Sequence, residues 1–182
     1  MPIDIRKLGP IILDEAKAES SFEIYRRGES PRDVTVLIKM VLAVRTFRNQ
    51  LDERLRAIGQ SVARMEALAA IMNMREPKSQ RDIARRLRVE GATITRIIDI
   101  LSAEGLVERK PDANDRRINQ ITISPKGEEA LRGIFEVYDQ MRAHILTGAA
   151  PADIAFLENL LDQMLARLDD PTWGAGESDT AP

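Results

Sequence analysis

Three polar side chains suited to nucleic-acid chemistry share one predicted helix, which begins near Gly91 and ends near Gly105: Thr93, Thr95 and Arg96. They lie off an apolar stripe whose members recur at helical spacing, namely Ile94, Ile97, Ile98 and Leu101. Threonine can offer a hydroxyl or a methyl group to a base edge, and arginine can contact guanine or a phosphate. In an isolated amphipathic helix such residues usually mark a solvated face. The neighbouring elements therefore decide between a solvated face and a DNA-contacting face.

A hairpin with an arginine-rich tip follows that helix. Two runs with period-two hydrophobicity, 106–109 and 120–123, predict its strands. At the tip, Asp115 stands two residues before Arg117, so its carboxylate can hold the guanidinium through paired hydrogen bonds. A braced arginine suits the narrow, electronegative minor groove, while Arg116 can bind phosphate instead. A helix followed by such a hairpin is typical of a DNA-binding protein with a wing.

A short helix is predicted immediately before the Gly91 helix. Ser79 and Asp82 have the spacing of a capping box, which opens a helix that runs through Leu87. Two short helices joined by a turn at 88–90 form a helix-turn-helix. The helix that opens at Ser79 holds four residues that are candidates for DNA contacts, mainly to phosphate: Ser79, Gln80, Arg81 and Arg85. A solvated face explains these four residues equally well.

Long amphipathic helices flank the helix-turn-helix on both sides. One is predicted over 31–59, with Ser30 as its N-cap, and another over 62–74. After the hairpin, Ser124 precedes a proline and predicts a further helix start, and the last helix has an apolar seam close to heptad spacing. These apolar stripes are longer than a domain of this size needs for its own core. We therefore expect a second copy of the chain to bury them.

The predicted fold class is mainly α with a small β-hairpin wing (α+β), a winged helix-turn-helix with N- and C-terminal dimerisation helices. Its parts are an N-terminal arm or leader at 1–30, a dimerisation lobe at 31–61 and 124–170, a winged helix-turn-helix lobe at 62–123, and a disordered tail at 171–182. Within the first part, a short helix is predicted from Asp14 to Tyr25. An arm that packs on a partner subunit and a partly disordered leader remain equal alternatives there.

The composition excludes several classes of function. The chain lacks cysteine, so disulfides, thiol redox sensing and thiolate metal sites are impossible. His144 is the only histidine, which excludes a metal site or a catalytic dyad that needs two. Because no glycine-rich phosphate loop, nucleophile motif or cofactor motif is present, we predict neither catalysis nor a cofactor. No apolar run is long enough to span a bilayer and the N-terminus is unlike a signal peptide, so we predict a cytoplasmic protein without a membrane partner.

The net charge of −2 argues weakly against a nucleic-acid partner, so the distribution of charge matters more. Between Arg75 and Arg117 there are 11 basic and 8 acidic residues, whereas 124–182 holds 4 basic and 11 acidic residues. A positive middle beside an acidic end is what a DNA-contacting lobe next to a different lobe shows. The acidic end also motivates an alternative from another class, a winged-helix module for protein interaction without operator recognition.

Residues 77–131 resemble the MarR family of bacterial transcriptional regulators. The resemblance rests on SQRDIARRL at 79–87, ATITRIIDIL at 92–101 and EGLVER at 104–109. The family's wing pattern is an Asp, any residue, an Arg, then a Leu-Thr pair eight and nine positions after the Asp, and a Gly three further on. In this chain those places hold Asp115, Arg117, Ile123, Ser124 and Gly127. The Ile-Ser pair departs mildly from Leu-Thr but keeps an apolar residue and a capping hydroxyl.

The resemblance implies a homodimer that binds a pseudo-palindromic operator in double-stranded DNA, with its N- and C-terminal helices interlocked as the dimerisation lobe. Many relatives are repressors that small anionic or phenolic ligands release by binding between the lobes. Others sense oxidation through cysteine, which this chain lacks. The DNA-contacting residues that the resemblance carries over are Thr93, Thr95, Arg96, Asp115 and Arg117. The effector pocket would lie among helices 31–58, 62–74 and 124–147, where no residue matches a ligand motif.

Overall fold

The computed structural model describes residues 20–75, 78–112 and 118–172. In chain order the elements are α1 (Ser21–Arg26), α2 (Arg32–Arg56), α3 (Val62–Asn73), α4 (Gln80–Leu87), α5 (Gly91–Ala103), β1 (Val107–Pro111), β2 (Asn119–Ile123), α6 (Pro125–Ile145) and α7 (Pro151–Leu168). The predicted fold class, mainly α with one small hairpin, is thereby confirmed. None of the described helices is both long enough and apolar enough to cross a membrane.

The chain divides into two compact units after Val62, and the first unit contains α1 and α2. Helix α1 begins after Ser20, whose hydroxyl accepts a hydrogen bond from the Phe22 N–H at 3.2 Å. The helix predicted at 14–25 lies partly outside the described residues. Within them it begins at Ser21 and extends one residue further than predicted, to Arg26.

Helix α2 begins and ends inside its predicted range. Pro31 is its N-cap, whereas the Ser30 hydroxyl lies 2.8 Å from the Thr35 hydroxyl. The prediction of Ser30 as N-cap is wrong by one residue, because Pro31 itself has an extended ψ of 147° and stands at the boundary. The helix ends at Arg56, short of Gly59, whose positive φ of 70° turns the chain.

Most apolar side chains of α2 are exposed. Only Leu51 and Leu55 are buried, near its C-terminal end. The large exposed apolar residues earlier in the helix are Val36, Leu37, Ile38, Val41, Leu42 and Val44. Such a run of exposed apolar side chains on a long helix is unusual for a folded monomer.

The second unit buries apolar residues from each of its helices except α7. The largest fully buried side chains in it are Leu68, Ile71, Ile83, Ile94, Ile98, Leu101, Ile121, Leu131 and Ile134. Ile94, Ile98 and Leu101 belong to the stripe that predicted α5, which is confirmed. Helix α7 has no buried residue, and its apolar seam is partly exposed.

The hairpin is a two-stranded antiparallel sheet in which Val107 pairs with Ile123 and Pro111 pairs with Asn119. Strand β1 begins one residue later and ends two residues later than the predicted range 106–109, and β2 begins one residue earlier than the predicted range 120–123. On the other edge of β2, the Ile121 N–H donates to the Lys78 carbonyl at 3.0 Å, just before α4. The wing is therefore hydrogen-bonded to the start of the helix-turn-helix as well as to itself.

Candidate nucleic-acid interface

Helix α4, the first of the helix-turn-helix, begins with the capping box that the sequence predicts. The Ser79 hydroxyl accepts a hydrogen bond from the Asp82 N–H at 3.3 Å, and the Asp82 carboxylate accepts one from the Ser79 N–H at 3.3 Å. That carboxylate also accepts a hydrogen bond from the Ser79 hydroxyl and forms an ion pair with Arg85. The Ser79 hydroxyl above all holds the pKa of Asp82 below its ordinary value. Asp82 is therefore ionised at neutral pH, where it fixes the start of α4.

Two of the four contacts predicted on α4 are already engaged within the chain. Ser79 belongs to the capping box, and Arg85 is ion-paired with Asp82. Gln80 is half-buried in the first turn. Arg81 is exposed and makes no ion pair with any residue that the structure describes. Arg81 is thus the predicted contact whose charge α4 presents freely to solvent.

Helix α5 presents the face that the sequence predicts for base contacts. Arg88 has a left-handed conformation, with φ 53° and ψ 44°, and turns the chain from α4 toward α5. Thr93, Thr95 and Arg96 are all exposed. The Thr95 hydroxyl donates to the Gly91 carbonyl at 2.9 Å, so its proton is used inside the helix. Arg96 has no hydrogen bond or ion pair within the described part of the chain, and its guanidinium is available to a ligand.

Two ion pairs hold α5 between its neighbours. Asp99, on α5, pairs with Arg109 of β1, which fastens the wing to α5. Glu104, at the C-terminal end of α5, pairs with Arg64 of α3. Neither pair is evident from the sequence, because the partners lie 10 and 40 residues apart. Together they fasten α5 on two sides and leave the Arg96 face open.

The predicted contacts at the wing tip, Asp115, Arg116 and Arg117, lie outside the described residues. The bracing of Arg117 by Asp115 therefore stays a prediction. On the described side of the tip, the Asp112 N–H donates to the Ile118 carbonyl at 2.8 Å. This bond continues the strand pairing up to the edge of the tip.

The first turn of α6 fastens the end of the wing to the end of α5. Ser124 is the N-cap, as predicted, and its hydroxyl accepts a hydrogen bond from the Gly127 N–H at 3.0 Å. The same hydroxyl donates to the Gly105 carbonyl at 2.7 Å. The Lys126 ammonium donates to the Glu104 carbonyl at 2.8 Å and so binds an unpaired carbonyl at the end of α5.

Gly127 fills the last place of the family's wing pattern, and its packing gives a physical reason for glycine there. A Cβ at this position would lie 2.0 Å from the Leu106 carbonyl oxygen and 2.8 Å from Ile123 Cγ1. The backbone of α6 approaches the start of the wing too closely for any side chain.

Gln120 is a polar residue of this surface that the sequence does not single out. Its Oε1 accepts a hydrogen bond from the Lys78 N–H at 2.6 Å, and its Nε2 donates to Asp112 Oδ2 at 2.7 Å. In the sequence, Gln120 is a polar residue next to the buried Ile121. Alternation of polar and apolar residues along a strand is enough to explain it, so nothing there indicates a special role. Its role depends on bonds to residues that are 42 and 8 positions away.

A cleft of about 410 Å³ lies within the second unit, between α3, α4 and α6. Its lining residues are Met65, Glu66, Ala69, Ala70, Asn73, Arg86, Leu87, Phe135 and Tyr138. The rings of Phe135 and Tyr138 meet edge to face with centroids 6.0 Å apart. Arg86 makes no ion pair with the residues described, so its charge is available at the cleft. The resemblance places an effector pocket beside two of these helices, α3 and α6.

Comparison with known proteins points to one family. The model of the MarR family matches residues 59–118 of this chain. The crystal structure of the transcriptional regulator PA3341 is similar over 72% of this chain and 96% of that chain, with 33% sequence identity and a TM-score of 0.65. The transcriptional regulator BldR from Sulfolobus solfataricus is similar over 74% of this chain and 95% of that chain, with 28% identity and a TM-score of 0.67.

A more distant structure contains DNA. It is the MepR–DNA complex of S. aureus, which is 19% identical and has a TM-score of 0.64 over 74% of this chain and 95% of that chain. At this identity the similarity shows a shared fold, and the DNA is a property of that complex.

Proposed function

Because the chain belongs to the MarR family of transcriptional regulators, we propose that it is a homodimeric repressor that a small ligand releases from a pseudo-palindromic operator. The exposed face of α5 is the observation that carries this proposal. There Arg96 makes no bond to any described residue, while Asp99 and Glu104 fasten the same helix to its neighbours. A helix that is held firmly and exposes an unpaired arginine is prepared for a ligand outside the chain.

The interface is proposed to contact DNA through three parts. The N-terminal half of α5 enters the major groove, where Arg96 contacts guanine or phosphate beside Thr93 and Thr95. Arg81 binds phosphate, because its charge lies free near the N-terminus of α4. The wing tip, with Asp115, Arg116 and Arg117, is proposed to reach the minor groove. The Asp99–Arg109 pair keeps the wing beside the recognition helix during binding.

A second copy of the chain is proposed to cover the apolar faces of α2 and α7. On α7, the side chains of Leu157 and Leu168 are 45% and 71% exposed. On α2, six large apolar residues between Val36 and Val44 are exposed. Dimerisation through these helices would place two recognition helices about 34–36 Å apart, one DNA turn.

The DNA-binding proposal is tested by replacing Arg96 with alanine. Operator DNA is first isolated by footprinting the DNA upstream of the chain's own gene, and affinity is then measured by fluorescence anisotropy. We expect Arg96→Ala to weaken binding by about 1–3 kcal/mol, which is roughly 5- to 150-fold in Kd. The matched control is Arg142→Ala, which removes the same charge from α6 and one exposed ion pair with Asp139. Arg142→Ala should change the affinity for operator DNA by no more than about twofold, because losing one exposed charge has only a small nonspecific effect.

Equal affinities for Arg96→Ala and the wild-type protein would contradict the proposed interface. A wild-type protein that protects no DNA and shows no salt-dependent binding would instead favour a protein-interaction module. Wild-type binding should weaken linearly in log K against log salt, with a slope of about −0.9 for each phosphate contact.

The effector is proposed to bind in the cleft between α3, α4 and α6. Arg86 supplies a positive charge and Phe135 an aromatic wall, which we take to suit a small aromatic anion or phenol, although the Glu66 carboxylate also lines the cleft. Because α4 lines this cleft, a ligand there can displace the helix-turn-helix from its DNA-binding position.

Benzoate, phenol and benzylamine serve as anionic, phenolic and cationic probes of similar size. We expect operator release in the order benzoate, phenol, benzylamine, with the response to benzoate lost in Arg86→Ala; release by benzylamine alone would contradict this assignment.

A further inference from the structure

One glutamine joins three segments of the candidate interface. Gln120 lies in β2, where it pairs with Lys110 of β1 and forms an isolated bridge with Ser79 on its other side. Its Oε1 accepts the Lys78 N–H at 2.6 Å, and its Nε2 donates to the Asp112 carboxylate at 2.7 Å. A single side chain therefore connects the residue before the helix-turn-helix to the residue at the base of the wing tip.

The amide of Gln120 satisfies both partners at once. The Lys78 N–H can only donate, and the ionised Asp112 carboxylate can only accept, whereas the glutamine side chain does both. Glutamate keeps the acceptor for Lys78 but places a second carboxylate against Asp112. Leucine has a similar size and satisfies neither. The site therefore requires a side chain that both donates and accepts a hydrogen bond, although an apolar side chain of this size would also fit in the strand.

The position of the bond matters because it lies where the wing meets the residues just before α4. The Ile121 N–H to Lys78 carbonyl bond, at 3.0 Å, joins the same two segments beside the bonds of Gln120. Asp112 is also the last described residue before the wing tip. Rotation of the wing about its strands would therefore be resisted at Asp112 by Gln120.

We propose that Gln120 is a positioning residue for DNA binding, which sets the direction of the wing relative to α4 without touching DNA itself. The inference rests on the proposed function, since it assigns the residue a role in operator recognition. A wing fixed in this way meets the duplex at the same time as α4 and α5. Its contacts with DNA then cost little conformational entropy on binding. Without the bonds of Gln120, the base of the wing tip has more freedom, and ordering it on the DNA costs affinity.

The first test compares Gln120→Leu with a control on the same strand, Thr122→Val. The Thr122 hydroxyl is buried and has no hydrogen-bond partner in the described structure, so its replacement by a methyl removes no bond. We expect Gln120→Leu to weaken operator binding on the order of tenfold and to lower the magnitude of the salt slope by about 0.9 for each wing phosphate contact that is lost. Thr122→Val should keep both the affinity and the slope.

A chemical rescue separates positioning from general stability. In Gln120→Glu, the new carboxylate faces Asp112, with Lys110 across the strand pair and the Lys78 backbone on its other side. Two adjoining carboxylates raise the pKa of one of them, and the protonated group can again donate. Relative to wild type, the operator affinity of Gln120→Glu should rise as the pH is lowered from about 8 to about 5.5. Adding Asp112→Asn should restore affinity at about pH 8, because the new amide can donate to the glutamate.

The results distinguish failure of this inference from failure of the proposed function. If wild-type protein binds DNA and Gln120→Leu has the wild-type Kd and salt slope, Gln120 does not position the wing. Should Gln120→Leu fail to fold, the decision passes to Gln120→Glu, and a pH profile parallel to wild type with no rescue by Asp112→Asn overturns the inference. Absence of DNA binding by the wild-type protein would refute the proposed function itself.

Discussion

Replacing Gly127 with alanine is expected to destabilise the protein, although alanine ordinarily favours a helix. The added Cβ would lie 2.0 Å from the Leu106 carbonyl oxygen and 2.8 Å from Ile123 Cγ1. The Leu106 oxygen belongs to the backbone and accepts the Ser124 N–H at 3.0 Å, so it cannot turn away without breaking that bond. The first turn of α6 would therefore have to move off the start of the wing.

The size of the effect follows from two opposed contributions. Replacing glycine with alanine gains about 1 kcal/mol from backbone propensity in a helix interior, and no more than that in the first turn, where Gly127 lies. Inserting a methyl group into a filled site costs roughly 1–3 kcal/mol, and a clash with backbone lies at the upper end of that range. We expect a net loss of about 2 kcal/mol in the free energy of unfolding for Gly127→Ala. Gly133→Ala is the matched control, because it lies in the same helix with nothing within 4 Å of its added Cβ. That variant should gain about 1 kcal/mol.

Urea denaturation followed by far-UV circular dichroism measures both variants against the wild-type protein. All three are compared at one protein concentration, because the stability of a dimer depends on it. Gly127→Ala should also bind operator DNA more weakly, since its clash falls between the wing and α6. A Gly127→Ala variant that is as stable as the wild-type protein, or is stabilised as much as Gly133→Ala, would show that α6 and the start of the wing leave room for a Cβ.

Three further predictions concern the capping box and the apolar face of α7. Ser79→Ala should lower the free energy of unfolding by about 1 kcal/mol in the same denaturation assay, because the Asp82 N–H loses its acceptor; an unchanged midpoint would contradict this role. The pKa of Asp82 is lowered in the folded protein, chiefly by the Ser79 hydroxyl, so the stability it contributes is present above its unfolded pKa of about 3.9 and is lost as the pH falls through the lower folded value. Asp82→Asn should therefore flatten the dependence of stability on pH below about pH 4, and a slope identical to wild type would count against it. Leu157→Asp should convert the proposed dimer into monomers in sedimentation experiments, since it would bury an unpaired charge, whereas Asp162→Asn on the same helix should not; a dimer unaffected by Leu157→Asp would exclude α7 from the interface.

The sequence predicts those parts of the fold that depend on neighbouring residues. The capping box at Ser79, the apolar stripe of α5, the helix end at Gly105 and the start of α6 at Ser124 are all confirmed. Each is specified by residues within one or two helical turns. The misplaced N-cap at Ser30 is also local, because serine and proline compete for the same boundary and proline occupies it.

The contacts that position the site could not be read in the same way. The Asp99–Arg109 pair and the Gln120 bonds join different elements, so they depend on how helix and hairpin pack. Arg85 has the residue type of a phosphate contact, and in the structure it pairs with Asp82, three residues earlier on the same helix. A charged residue alone does not show whether its charge is free. Only the packed structure separates Arg81 and Arg96, which are unpaired among the described residues, from Arg85.

The central claim is that α5 and the wing read a specific, two-fold symmetric DNA sequence. Selection of bound duplexes from a random DNA library, carried out with wild-type protein and with Arg96→Ala, tests it most directly. We predict that wild-type protein enriches one motif of two inverted half-sites with centres about 10 base pairs apart, and that Arg96→Ala loses the base preference or the affinity. Failure of the wild-type protein to enrich any motif at low salt, or enrichment of the same motif with equal affinity by Arg96→Ala, would contradict the account.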